Sequence, residues 1–76
     1  MSKFKSKEMR KNNYFVLYDS KDNVLYFDNF EELSIHINYK LYDLVREFNR
    51  HKSNVITIFF DNKKMELATY VKKNKE

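Results

Sequence analysis

Not one of the 76 residues is glycine or proline. Every turn must therefore be made by residues that carry a Cβ. Positions that need a left-handed backbone fall to Asp and Asn, whose short side chains bond their own backbone and tolerate that conformation. The same absence removes whole classes of chemistry. A Gly-rich phosphate loop of the P-loop or Rossmann kind cannot be built. Neither can a GxSxG nucleophile elbow, although Ser2, Ser6, Ser20, Ser34 and Ser53 are present. Cysteine is also missing, which excludes a disulfide framework, a Cys-type zinc site and a thiol nucleophile.

Hydrophobic periodicity then outlines the fold. Tyr14–Tyr18 is β-branched and aromatic, and Val24–Phe27 repeats that character after five polar residues, Asp19–Asn23. The pair reads as a β-hairpin. Asn29 with Glu32 three residues later has the spacing of a helix-capping box. From there Phe30, Leu33, Ile37, Leu41, Leu44 and Phe48 recur at steps of three and four, one helical stripe with Val45 beside it. A continuous or kinked helix fits this stripe. So do two helices, with Asn38 capping the second. Val55–Phe60 is the strongest strand pattern, Asp61–Lys64 a turn, and Met65–Val71 an alternating strand with Met65, Leu67, Thr69 and Val71 on one side. The expected fold class is α+β: a four-stranded antiparallel sheet in ββ-helix-ββ order, with the helical segment packed on one face. A chain this short is one domain at most. Residues 14–71 form that domain in this reading, with 1–13 a flexible basic arm and 72–76 a basic tail.

The formal charge of +4 is unevenly spread. Residues 1–13 carry Lys3, Lys5, Lys7, Arg10 and Lys11 against Glu8 alone, whereas residues 14–62 hold eight carboxylates and five cations. The expected body is mildly acidic, with the positive charge at the ends of the chain. MSKFKSKEMRKNN has no apolar stretch behind it, so it does not read as a signal peptide. The longest apolar runs fall far short of the roughly 18 residues that span a bilayer. Absent cysteine and absent export signal point to the cytoplasm and away from membranes.

Few side chains are arranged for chemistry. His36 and His51 lie fifteen apart, without the spacing that makes a helical metal face. Asp19 and Asp22 lack the glycine and the closing Glu of a calcium loop. The expectation is a protein that is not an enzyme and needs neither cofactor nor metal. Aromatic residues are in surplus, at 17%. Large rings help a small core, each removing roughly 150–250 Å² from water. Tyr14, Tyr18 and Tyr26 on the first hairpin, Tyr70 on the last strand and helical Tyr39 and Tyr42 could also face a partner, because tyrosine is enriched at protein interfaces and can stack on bases.

The stretch YFVLYDSKDNVLYFDNFEELSIHIN, a third of the chain, resembles the opening of small proteins encoded by phages and mobile elements of AT-rich Gram-positive bacteria. The shared features are Tyr18-Asp19, Asp22-Asn23, Phe27 and Glu32-Leu33. The codon bias implied by abundant Phe, Tyr, Met, Ile, Asn and Lys fits such a source. The resemblance implies a host-takeover or anti-defence factor, of which anti-CRISPR proteins are one type. Its partner would be a host protein or nucleoprotein complex in the host cytoplasm.

Two readings follow. In the first, a non-enzymatic protein binds and modulates or inhibits a host protein through Tyr14, Tyr18, Tyr26 and the acidic Asp19, Asp22 and Asp28. In the second, a small nucleic-acid-binding transcriptional regulator holds phosphates with Lys3, Lys5, Lys7, Arg10 and Lys11, extended by Lys40, Arg46 and Arg50. A homodimer is compatible with both, since a four-stranded sheet has open edges.

Overall fold

The computed structural model describes residues 4–72. It is a small α+β fold with three helices and a four-stranded open sheet. In chain order the elements are α1 (Ser6–Asn12), β1 (Asn13–Tyr18), β2 (Val24–Phe27), α2 (Phe30–His36), α3 (Leu41–His51), β3 (Val55–Phe60) and β4 (Lys63–Val71). The strands run antiparallel in the order β2-β1-β4-β3. Both hairpins are present, and β1 joins them by pairing with β4, Asn13 opposite Val71 through Tyr18 opposite Glu66.

The core lies on one face. Strand alternation points Phe15, Leu17, Phe27, Ile56, Ile58 and Leu67 toward the helices, which return Met9, Phe30, Leu33, Ile37, Leu41, Leu44, Val45 and Phe48 into one cluster. All six residues of the expected helical stripe are buried. Two buried polar residues close the end of this core. Asn13 Nδ2 donates to Thr69 Oγ1 at 2.9 Å, and Thr69 Oγ1 donates to the carbonyl of Tyr14 at 3.2 Å. Burial without these partners would cost about 1–3 kcal/mol per group.

The helical segment divides in two. Ile37 turns extended (φ −114°, ψ 149°) after its N–H closes on the Leu33 carbonyl at 2.9 Å, and Lys40 is extended before α3. Asn38 does not cap α3. The cap position is Lys40, with no side-chain bond. Ile37 stays fully buried through the break, so the hydrophobic stripe continues while the backbone does not. The Asn29 cap of α2 forms as expected, while the reciprocal Glu32 bond falls on Asp28, the residue before the cap, instead of on the Asn29 N–H. Asn29 Oδ1 accepts from Glu32 N–H at 2.9 Å, and Glu32 Oε1 accepts from Asp28 N–H at 3.2 Å.

The N-terminal segment departs from the expected flexible arm and adds a helix ahead of the first strand. Residues 6–12 form α1, whose Met9 is 2% exposed. Phe4 packs on the core, its ring 5.5 Å from Phe48. Asn49 grips the backbone of Phe4 from both sides, accepting from its N–H at 2.7 Å and donating to its carbonyl at 2.9 Å. Two apolar anchors among many lysines suffice to hold the segment down, because the lysines themselves stay exposed. Lys3 and residues 73–76 of the expected tail lie outside the described residues.

The turns answer the missing glycine. Among the described residues four have positive φ: Asp22 (66°), Lys52 (52°), Asp61 (56°) and Asn62 (61°). Asp61 and Asn62 alone link Phe60 to Lys63, the two-residue turn with both φ values positive that natural hairpins usually build with Asn-Gly. Lys52 ends α3, its N–H bonding back to Phe48 and Asn49 carbonyls while Ser53 N–H reaches Phe48 O at 3.3 Å. That closure normally takes glycine. A lysine there carries the Cβ penalty in full, unlike Asn.

Lys52→Gly is therefore expected to stabilise the fold by about 1 kcal/mol, or roughly 4–8 °C in Tm for a chain of this size. Asn62→Gly should give less; a thermal melt of both variants reads the difference. Met9→Ala should cost about 2–5 kcal/mol in a denaturant titration, where the same change in a flexible arm would cost nothing.

Candidate functional site

The face of the sheet away from the helices carries no element of the described chain. Alternation places Tyr14, Val16 and Tyr18 of β1 there, with Val24 and Tyr26 of β2, Val55, Thr57 and Phe59 of β3, and Lys64, Glu66, Ala68 and Tyr70 of β4. Register sets Tyr70 directly opposite Tyr14, and Tyr26 opposite Val16. Three rings form a ladder across the strands. Tyr14 lies 5.3 Å from Tyr26 and 5.4 Å from Tyr70, the latter pair stacked at 29°. Tyr18 lies on the same face, and interaction with the Tyr70 hydroxyl, followed by desolvation, raises its phenol above the usual pKa.

The structure brings Tyr14, Tyr18 and Tyr26 to one face and adds Tyr70 to them. Exposed apolar groups extend the surface: Tyr26 is 61% exposed, Val24 57% and Phe59 68%. Phe59 and Val24 drew no notice in the sequence because they sit inside strands that read as core. Their alternation against Ile58 and Leu25 was the available signal.

The acidic residues do not form one patch. Asp19 organises the first hairpin turn. Its Oδ1 accepts from the N–H of Lys21 (2.8 Å) and of Asn23 (3.0 Å), and its Oδ2 from Asn23 Nδ2 (2.9 Å). These bonds, led by the Asn23 side chain, hold its carboxyl below the usual carboxylate range. Asp22 supplies the left-handed position of the same turn. Both line a depression of about 550 Å³ with Tyr18, Ser20, Lys63, Lys64 and Glu66, where the charges are mixed. Asp28 sits at the far end of β2, 3.8 Å from Lys72 Nζ.

The cations divide differently. Lys5, Arg46 and Arg50 meet in a depression of about 680 Å³ beside α3, shared with Phe4, Tyr42 and Asn49. Arg46 lies 3.4 Å from Asp43, and Arg50 lies 3.4 Å from Glu47. Arg10 turns to Glu31 at 3.2 Å and lies over the Phe30 ring. Lys7 and Lys11 are exposed on α1, and Lys40 precedes α3. The His36 ring lies between those of Phe27 and Phe60, tilted to both, at 5.4 and 5.5 Å, and His51 lies 3.4 Å from Glu47. Among the described residues no group of three or more His, Asp or Glu is placed to hold a metal ion, and no helix is long and apolar enough to cross a membrane. No family model, no curated protein and no solved structure matches this chain.

Because the Asp19 carboxyl is more acidic folded than unfolded, it stabilises the fold above its unfolded pKa, and that contribution is lost as pH falls through the folded value. Thermal stability should therefore fall between about pH 5 and pH 2, and Asp19→Asn should fall less over the same range. Parallel curves for the two proteins would remove Asp19 from the account.

Proposed function

We propose that this chain is a non-enzymatic binding protein that engages another protein through the open face of its sheet. The Tyr26–Tyr14–Tyr70 ladder carries this reading. Tyrosine rings are rigid, offer large apolar area with a polar tip, and dominate the energetics of many protein interfaces. Exposed Val24 continues this apolar surface beside Tyr26 on β2, a patch that a small fold has reason to cover. Asp19 and Asp22 contribute to the rim through the turn they build, whereas Asp28 stands apart from it.

The resemblance of residues 14–38 to openings of phage and mobile-element proteins supports a partner in the host cytoplasm, a nucleic-acid enzyme or defence complex of the kind that anti-CRISPR proteins block. Such a protein would act by occupying a surface, so it would need no catalytic group of its own.

A second reading has one observation in its favour. Lys5, Arg46 and Arg50 line a common depression with the exposed ring of Tyr42, a pairing of cations and an aromatic suited to a nucleic-acid strand. The ion pairs of Arg46 with Asp43 and Arg50 with Glu47 weigh against it, because those carboxylates repel phosphate.

Affinity capture from a host lysate, followed by binding measurements on the recovered partner, separates the two. Tyr26→Ala is expected to weaken that complex at least 10-fold, about 1.4 kcal/mol, with Arg46→Ala unchanged. The reverse pattern, or a mobility shift of single strands that weakens steeply with salt, would move the assignment to the α3 depression.

A further inference from the structure

Strand β3 ends the sheet and pairs only with β4 among the described elements. Its sequence, Val-Ile-Thr-Ile-Phe-Phe, has no charge, no proline and no irregularity. Natural sheets guard their edges with lysine, proline, bulges or very short strands, and β3 has none of these. The other edge, β2, has four residues against the six of β3.

The direction of the free groups follows from the turn. In a two-residue hairpin the flanking residues, Phe60 and Lys63, exchange hydrogen bonds, and bonded pairs alternate from there. Thr69 N–H donates to Asn54 O at 2.9 Å, in phase with that alternation. Ile56, Ile58 and Phe60 therefore bond to β4, and Val55, Thr57 and Phe59 direct their backbone groups away from the sheet. Val55 N–H is taken by Ser53 Oγ at 3.1 Å. On β2 only Val24 and Tyr26 point outward by the same reasoning.

We propose that this edge pairs antiparallel with β3 of a second copy, about a two-fold axis through Thr57, to give one continuous eight-stranded sheet. The register is fixed by two conditions. Core-facing residues must oppose core-facing residues, because a one-residue slip would turn the strand over. Outward-bonding residues must also meet each other. Centring on Thr57 meets both conditions: Thr57 opposes Thr57 of the second copy, and Val55, whose carbonyl is the group left to bond, opposes Phe59 in both directions. Phe59, 68% exposed in the single chain, then packs on a β-branched neighbour. The same register brings the Asp61–Asn62 turn of each copy to the Lys52–Ser53 end of the other, an acidic group beside a basic one at both ends. No charge is buried in between. A second copy therefore fits this edge without any other protein, and the contact is separate from the tyrosine ladder.

The absence of cysteine makes the test direct. In a bonded antiparallel pair the Cα atoms lie about 5.5 Å apart, inside disulfide range, while residues two positions off the axis are well outside it. Sedimentation of the full chain over rising concentration should show mass moving from 9.4 kDa toward twice that value. Thr57→Cys, mildly oxidised, should cross-link to a dimer, and Phe59→Cys should not. Thr57→Lys, on an exposed position that leaves the core intact, sets two ammonium groups face to face and should return the chain to monomer with its circular dichroism unchanged. A monomer up to about 1 mM, or a dimer that survives Thr57→Lys or cross-links as well through Phe59→Cys, overturns the proposal. The last outcomes would instead mean another contact, such as sheet face on sheet face.

Discussion

A four-stranded sheet covered on one side can bury only one row of each strand's side chains, and the rest of this molecule follows from that limit. Fourteen apolar side chains meet on the covered side in a single cluster, and all three helices are recruited to complete it. In a chain this short the fraction of surface buried is low, so even the lysine-rich N-terminal segment contributes, through Met9 and Phe4. The other side of the sheet is left with tyrosines, valines and Phe59. Three of those tyrosine rings, Tyr26, Tyr14 and Tyr70, meet one another there instead of a helix.

The sequence disclosed what periodicity can carry. Both hairpins, the stripe from Phe30 to Phe48 and the helix cap at Asn29 were legible because each rests on local spacing and local hydrogen bonds. The sequence left one helix and two helices both open, since Ile37 and Leu41 keep their four-residue step across the break between α2 and α3 and only the backbone changes. The first helix was hidden for a different reason. Its seven residues contain one buried side chain, and what holds it is the long-range contact between Asn49 and the Phe4 backbone, 45 positions apart. Of the candidate site, the tyrosines of β1 and β2 could be grouped from alternation alone. Their union with Tyr70 depended on β1 pairing with β4, a non-local choice that no window of sequence reports. The acidic residues near them were grouped by proximity in sequence, whereas Val24–Phe27 holds Asp22 and Asp28 at opposite ends of a strand.

The charges show the same division between sequence and space. Cations that cluster along residues 5–11 separate once α1 forms. Lys5 goes to the α3 depression and Arg10 to Glu31, with Lys7 and Lys11 left on the helix. Arg46 and Arg50 each meet a carboxylate one helical turn away. Such exposed pairs add little stability, but they lower the local positive potential that a phosphate would encounter.

The glycine-free turns have a consequence for recognition. Glycine is the usual source of hinge motion in a loop, and here both hairpin tips are closed without it, one by the three hydrogen bonds to Asp19 and one by the Asp61–Asn62 pair. Both tips stand at the same end of the sheet, beside Tyr18, and the strands that run from them to the tyrosine ladder are held by continuous antiparallel pairing. If the open face docks a partner as proposed, part of the ordering cost that weakens many small-protein complexes is already met during folding.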